Sequence, residues 1–581
     1  MELEHLLDDF PPVTTQAWED AIRQDLKGAD YGKKMIWQSP EGIEVKPYYR
    51  QEDVLGLAVD RASAIIPNPR PARVTCDWRI REEIVAVEPS QANLDAQKAV
   101  GAGADEISFR RVEVKNASDL RLTMMGLESV GLNFENGDPS LIGLLCERVK
   151  NTPDHSLIST GMNPLADPEF AAATIATLSG GFLPFTIPCE RFEAQGANSV
   201  HELAFALAAG IEYLAAMDER HISADRAAAA TGFSFSIGAS YFFQIAKFRA
   251  FRLLWSRAVE SFGGLPGNAP TRIFARTSVW DKTVYDPHVN VLRATTEGMS
   301  AILGGVDSLC IAPFDECYKL PDEASQRLAR NTQLMLKHEA RLAHVADPGA
   351  GAYYLESITD SLAEHAWNLM QRIEASGGYR KATLAGSLDE LLFEAREVRE
   401  KSVVTRRRVF TGTNQYADVS DKALGRIDIA CTEAELRGAL PYEQLRLRTE
   451  RFAVETGKTP RVLLAEFGDA RMRTARSNFA VNFFACAGFE TQVQPFDSPD
   501  APVNVDTDLI VLCSADSEYL QLAKSIVAAL RKRGCEIPVL VAGYPETVEQ
   551  LREVGVADFI HVRSNPIEVL THWQQQLGVR L

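Results

Sequence analysis

From about residue 73 to residue 372, short apolar runs alternate with longer stretches whose hydrophobic residues recur every three to four positions. The short runs predict strands near 73–80, 106–112, 131–134, 155–159, 181–187, 232–237, 272–275 and 308–312. The run Phe233-Ser234-Phe235-Ser236 alternates strictly, while those near Ile158 and Leu309 read as fully buried. Helical periodicity is clearest over 200–217, 241–262 and 323–342, with Lys247, Arg249 and Arg252 expected on the exposed face of the second. About eight strands separated by helices is the count a closed (β/α)8 TIM barrel needs.

The flanks read differently. Residues 1–45 form an arm. Thr15 and Gln16 open a short helix with Trp18, Ile22 and Leu26 on one face, to dock on the chain's own barrel or to wrap a partner. Prolines keep residues 67–71 extended. The barrel is expected over 46–372 and a charged helical linker over 373–458. Within the linker, Arg406-Arg407-Arg408 reads as a solvated helix face or an answer to nearby carboxylates. From 459 onward, apolar runs at 462–465, 491–493, 509–513, 539–542 and 559–562 alternate with helices at 473–487 and 518–532. Five strands so arranged predict a flavodoxin-like doubly wound domain over 459–581, and in such sheets ligands bind beyond the carboxyl ends of the strands. The loop after Ala465 is therefore the place to look for chemistry.

Composition narrows the reading. A chain of 581 residues exceeds one core, and a net charge of −18 argues against a nucleic-acid or membrane-surface role, both of which need a basic patch. The nine cysteines are dispersed with no CxxC pair, as in a reduced cytoplasmic protein. The first residues lack a secretory pattern and no apolar run approaches a bilayer span. The ten histidines suggest no metal site by spacing.

The most specific text lies between 277 and 356. It runs Thr277-Ser278-Val279-Trp280, then Asp286-Pro287-His288-Val289-Asn290-Val291-Leu292-Arg293. Gly304-Gly305, Pro313-Phe314-Asp315-Glu316, Ala329-Arg330-Asn331-Thr332-Gln333 and Ala346-Asp347-Pro348 follow in order. These motifs resemble the adenosylcobalamin-dependent acyl-CoA mutases, methylmalonyl-CoA mutase above all. That resemblance implies a barrel for the acyl-CoA and a flavodoxin-like domain for the corrin. The residues that carry chemistry in that family are altered here.

Where the family places D-x-H-x-x-G, with histidine as the lower axial ligand of cobalt, this chain has Asp469, Arg471 and Thr474. A guanidinium has no lone pair for cobalt. The family's S-x-L, Gly-Gly and G-P-G-T segments correspond to Ser514-Ala515-Asp516, Ala542-Gly543 and Val562-Arg563-Ser564, which places the Asp516 carboxylate in an apolar slot. In the barrel, Glu190-Arg191 stand at the family's Tyr-His pair, and Phe274-Ala275-Arg276 at its H-C-Q. The N-terminal tyrosine-bearing run reduces to Cys76-Asp77-Trp78-Arg79-Ile80-Arg81-Glu82. Trp280, Asp286, Pro287, Asn290, Arg293, Asp315, Glu316 and Asp347 remain and are expected to hold loops and helices, with Asp286 suited to a helix N-terminus.

Scaffold kept and chemistry lost resembles the small subunit of a bacterial heterodimeric mutase. The resemblance implies no cofactor, metal or catalytic residue on this chain, with adenosylcobalamin on a large partner subunit. Two alternatives stand: an autonomous mutase in which Glu190 and Arg191 read another acyl group, and a scaffold that binds CoA esters without turnover.

Overall fold

The computed structural model describes residues 12–57, 75–150, 158–178, 182–265, 271–428, 436–497 and 506–580. The stretch expected to be extended at 67–71, and Cys431, lie outside them.

Nine short parallel segments form a nearly closed α/β barrel. In chain order they are β1 (Arg79–Ile84), β2 (Glu106–Phe109), β3 (Gly131–Phe134), β4 (Ile158–Thr160), the two pieces of β5 (Phe182–Leu183 and Phe185–Pro188), β6 (Thr231–Ile237), β7 (Arg272–Thr277) and β8 (Ser308–Cys310). The first piece of β5 pairs with β4 and the second with β6, so the two act as one strand broken at Pro184, a residue that cannot donate to a ladder. β8 pairs back onto β1, with Ser308 opposite Arg79. On six of the strands the outward Ile80, Ile107, Leu132, Phe233, Ile273 and Leu309 are buried against the surrounding helices in one core.

The helix Ser199–Asp218 is buried along most of its length, and Gly210 carries no side chain where the Trp255 ring lies against it. By length and composition it is apolar enough to cross a membrane, but 72% of that window is inside the barrel's core.

Three expectations are corrected. β1 begins at Arg79, with Arg79, Arg81 and Glu83 at inward positions and the outward Ile80 and Ile84 separated by Glu82, which pairs with Arg330 at 2.6 Å, a pattern no hydrophobic run announces. Lys247, Arg249 and Arg252 are buried rather than exposed: Lys247 Nζ sits 2.7 Å from Glu202, Arg249 reaches Asp347 and Glu356 at 3.3 and 2.8 Å, and Arg252 donates to the Gly304 carbonyl at 3.1 Å. Asp286 is no helix cap. Its φ is +46°, and its N–H donates to Asp421 at 2.8 Å, while His288 stands at the start of the helix Val289–Gly304.

A second parallel, Rossmann-like sheet comprises β9 (Arg461–Glu466), β10 (Glu490–Pro495), β11 (Leu509–Cys513), β12 (Val539–Ala542) and β13 (Asp558–Ile560), in spatial order β10-β9-β11-β12-β13. Separate apolar cores lie on its two faces, one containing Phe483 and Trp573, the other Tyr519 and Ile526. In the arm, the helix Thr15–Asp25 has no buried residue, and Trp18 stacks on Tyr48 at 4.5 Å between ring centroids. A short hairpin pairing Trp37 with Val45 docks on the barrel through Ile43 and Val45.

Candidate functional site

Two places could carry chemistry, the barrel interior and the carboxyl edge of the C-terminal sheet. Inside the barrel the inward residues of β1, β2 and β7 meet across the axis. Arg81 pairs with the wholly buried Glu106 at 2.5 Å and lies over the Phe274 ring, 4.5 Å from its centroid. Phe274 in turn covers Gly232 on β6, where a Cβ would come within 2.7 Å of the ring. Nearer the carboxyl ends, Arg276 binds both oxygens of Glu83, at 2.8 and 3.1 Å, and reaches Glu316 at 2.6 Å. Arg110 adds contacts to Glu83 at 3.4 Å and Glu135 at 3.1 Å. Burial pushes the Glu83 carboxyl up, but Arg276 and Arg110 outweigh it and hold it down at about 2. A polar ladder continues round the wall, with Asn133 bonded to Ser108 at 2.8 Å and Ser159 to Asn133 at 2.9 Å.

Phe274 and Arg276, given by the sequence as altered motif positions, are members of an aromatic and ionic plug in the barrel. Glu190 opens a short helix after β5, and the Ser234 hydroxyl hydrogen-bonds its carboxylate. Burial raises the Glu190 carboxyl against that bond, while Arg191 beside it faces solvent. The structure does not join Glu190 and Arg191 to one pocket. Sequence reasoning named Arg81 only as part of the run 76–82, and missed Glu83 and Glu106. The signal for Glu83 is the charged run Arg79-Ile80-Arg81-Glu82-Glu83-Ile84; Glu106, at the start of β2, has none.

At the sheet edge, Asp469 caps the helix Ala470–Ala485, accepting from the N–H groups of Arg471 and Met472 at 3.1 and 3.0 Å. Arg471 and Thr474 are exposed. The crevice between β9 and β11 is laced by the chain's own groups. Glu518 packs on Gly468, whose φ of +69° brings the backbone against that carboxylate. Ser514, buried, hydrogen-bonds Glu518 and lies 3.1 Å from the Phe467 carbonyl. Ser477 donates to Glu466 at 2.5 Å, and Tyr519 to the Ala542 carbonyl at 2.7 Å. Asp516 lies in no apolar slot; it is half-exposed and pairs with Arg476 at 2.8 Å. No side chain of the loop 467–474 brings an imidazole or thiolate to this edge. Among the described residues no cluster of three His, Cys, Asp or Glu could hold a metal.

A parallel α/β barrel with a Rossmann-like domain behind it and the motifs of residues 277–356 define an acyl-CoA mutase architecture. The methylmalonyl-CoA mutase family model matches residues 175–455. The methylmalonyl-CoA mutase small subunit of Porphyromonas gingivalis is 34% identical over all of both chains. That of Streptomyces virginiae is 32% identical over 98% of each. The methylmalonyl-CoA mutase of Rhizobium meliloti is 31% identical over 75% of this chain and 68% of its own. The chain belongs to the methylmalonyl-CoA mutase family of isomerases.

Proposed function

We propose that this chain is the non-catalytic small subunit of a cytoplasmic methylmalonyl-CoA mutase, assembling with a large subunit that binds adenosylcobalamin and interconverts methylmalonyl-CoA and succinyl-CoA. The observation that carries the proposal is the sheet edge after β9. By resemblance Arg471 corresponds to the axial-ligand position, Asp469 is engaged as a helix cap, and the Glu518 carboxylate lies against Gly468. A protonated guanidinium cannot ligate cobalt, and the carboxylates of Glu518 and Asp516 stand beside the crevice where the resemblance puts a nucleotide tail. The residues present do not fit cobalamin. The C-terminal sheet order, with its first strand flanked by its second and third, supports a flavodoxin-like domain that has lost its ligand.

The plug of Arg81, Glu106, Phe274 and Arg276 supports the same reading in the barrel, because it occupies the axis with paired charges. The small-subunit names of the full-length relatives support a heterodimeric partner. A permanent interface of about 2,000 Å² or more is typical of obligate complexes.

Adding adenosylcobalamin to the purified chain tests this. The free cofactor's spectrum should persist; a base-off, histidine-on spectrum would refute the proposal and favour an autonomous mutase.

A further inference from the structure

The motifs of residues 277–293 persist in a chain whose chemistry is proposed lost, and the structure gives them another task. They form the seam between the barrel and everything after it. Trp280, 1% exposed, is clasped between the Arg399 guanidinium, 4.1 Å from its ring centre, and Gly438, whose N–H donates to the Trp280 carbonyl at 3.1 Å. A side chain on Gly438 would stand 2.9 Å from the indole, so the close approach requires glycine there. Ser278 is tied into the same clasp, since Glu193 accepts from it at 2.8 Å and from Arg399 at 2.7 Å.

Four residues on, the loop grips the helix Leu440–Thr456. The Val284 N–H donates to Glu443 at 2.9 Å, and the Tyr285 hydroxyl to Glu450 at 2.7 Å. Arg446 from that helix lies 3.6 Å over the Tyr285 ring. The helix continues the connection outward: Tyr442 and Leu445 share one apolar core with Val462, Phe483 and Trp573 of the C-terminal domain, and Gln574 donates to the Leu445 carbonyl at 2.7 Å. Among the described residues, the contacts joining the loop after β7 to the helix Leu440–Thr456, and that helix to the C-terminal core, are mostly buried aromatic, cation–π and ionic ones.

We propose that residues 277–293 are a clamp that fixes the C-terminal domain to the barrel as one body, so that this subunit braces its partner rigidly and transmits displacement between its two ends. The role is independent of cobalamin; only its consequence for a partner rests on the bracing function proposed above.

Pulsed electron paramagnetic resonance tests it on the full chain, with spin labels on non-natural amino acids at exposed Leu94 in the barrel and exposed Val562 in the C-terminal domain. The clamp predicts one narrow distance distribution, unchanged when the partner chain and an acyl-CoA are added. Trp280→Ala should broaden it at least two-fold, and Arg446→Met, which keeps the stem but removes the cation, should broaden it less. A broad or two-peaked distribution in the unaltered chain would overturn the proposal, with or without a folded variant. So would a narrow distribution in a folded Trp280→Ala chain. Neither result depends on whether this chain binds cobalamin.

Discussion

Arg276→Ala destabilises the chain by about 3 kcal/mol and leaves turnover by the assembled mutase unchanged. The loss follows from what the guanidinium holds. It binds Glu83 twice and Glu316 once, so its removal strands two mostly buried carboxylates facing one another across the mouth of the barrel. Breaking one side of a buried pair costs more than the pair contributes: Glu316 loses its cation, and Glu83 keeps only the longer 3.4 Å contact to Arg110. Urea denaturation of the isolated chain reads the stability, and kcat of the reconstituted complex reads the chemistry. If Arg276 touched substrate, kcat would fall in folded complex, and the plug would have to be read as a working site.

The pH profile carries the same signature. The Glu83 carboxyl is held at about 2 in the folded chain against an ordinary 4.5. Its folded pKa is depressed, so its contribution is present above 4.5 and is lost as pH falls toward 2. The Arg276→Ala chain lacks most of that contribution and should lose less stability over this acid range than the unaltered one.

Lys282→Met has the second large effect, and its sign changes the pH at which the effect is seen. Lys282 and Glu297 are wholly sequestered, with Nζ 2.5 Å from one carboxylate oxygen, and the other oxygen has no hydrogen-bond partner. Burial raises the Glu297 carboxyl to about 7, with Lys282 pulling the other way. Burial likewise raises Glu202 to about 7 against Lys247. For both, the folded pKa exceeds the ordinary 4.5, so their contribution is full below 4.5 and is lost as pH rises through 7. Taking away the ammonium of Lys282 makes the charged form of Glu297 harder still to bury. The penalty should be smaller at pH 5, where the carboxyl is neutral with or without the ammonium, and larger by about 1.4 kcal/mol at pH 8, one pH unit above the folded pKa of about 7. Chemical denaturation at the two pH values checks it. An equal penalty at both would mean that Glu297 does not titrate against Lys282.

The barrel was legible because its outward strand faces are apolar and evenly spaced by helices. Gly131–Phe134 falls where the apolar run predicts, and the helices Ser199–Asp218 and Tyr241–Ser261 are within two residues of their expected ends. β1 was misplaced because Arg81 and Glu83 point inward to Glu106, 25 positions away on β2, and to Arg276, 193 positions away, and charge in a strand reads as exposure until such partners are known. The error at Lys247 and Arg249 has the same cause. Glu202, 45 positions away, and Glu356, 107 positions away, are what make burial of these cations tolerable.

The candidate site was legible only in part. Resemblance to a motif located Asp469, Arg471, Phe274 and Arg276, but what they touch had no sequence signal. Glu518 closing on Gly468 depends on two loops meeting across the sheet edge, and the Arg276 network depends on barrel closure between β8 and β1. Asp286 illustrates the limit of local rules. Asp before proline suits a helix start, yet its left-handed backbone packs against Gly412, where a Cβ would come within 2.5 Å of the aspartate, and its N–H is taken by Asp421.

The most direct measurement is the cobalamin content of the complex this chain forms with its catalytic partner, purified after saturation with adenosylcobalamin. One cofactor per pair of chains, unchanged by Arg471→Ala and with full turnover retained, is the predicted result. Two per pair, falling to one on Arg471→Ala, would mean that this chain holds a corrin of its own, and the silent-subunit account would be contradicted.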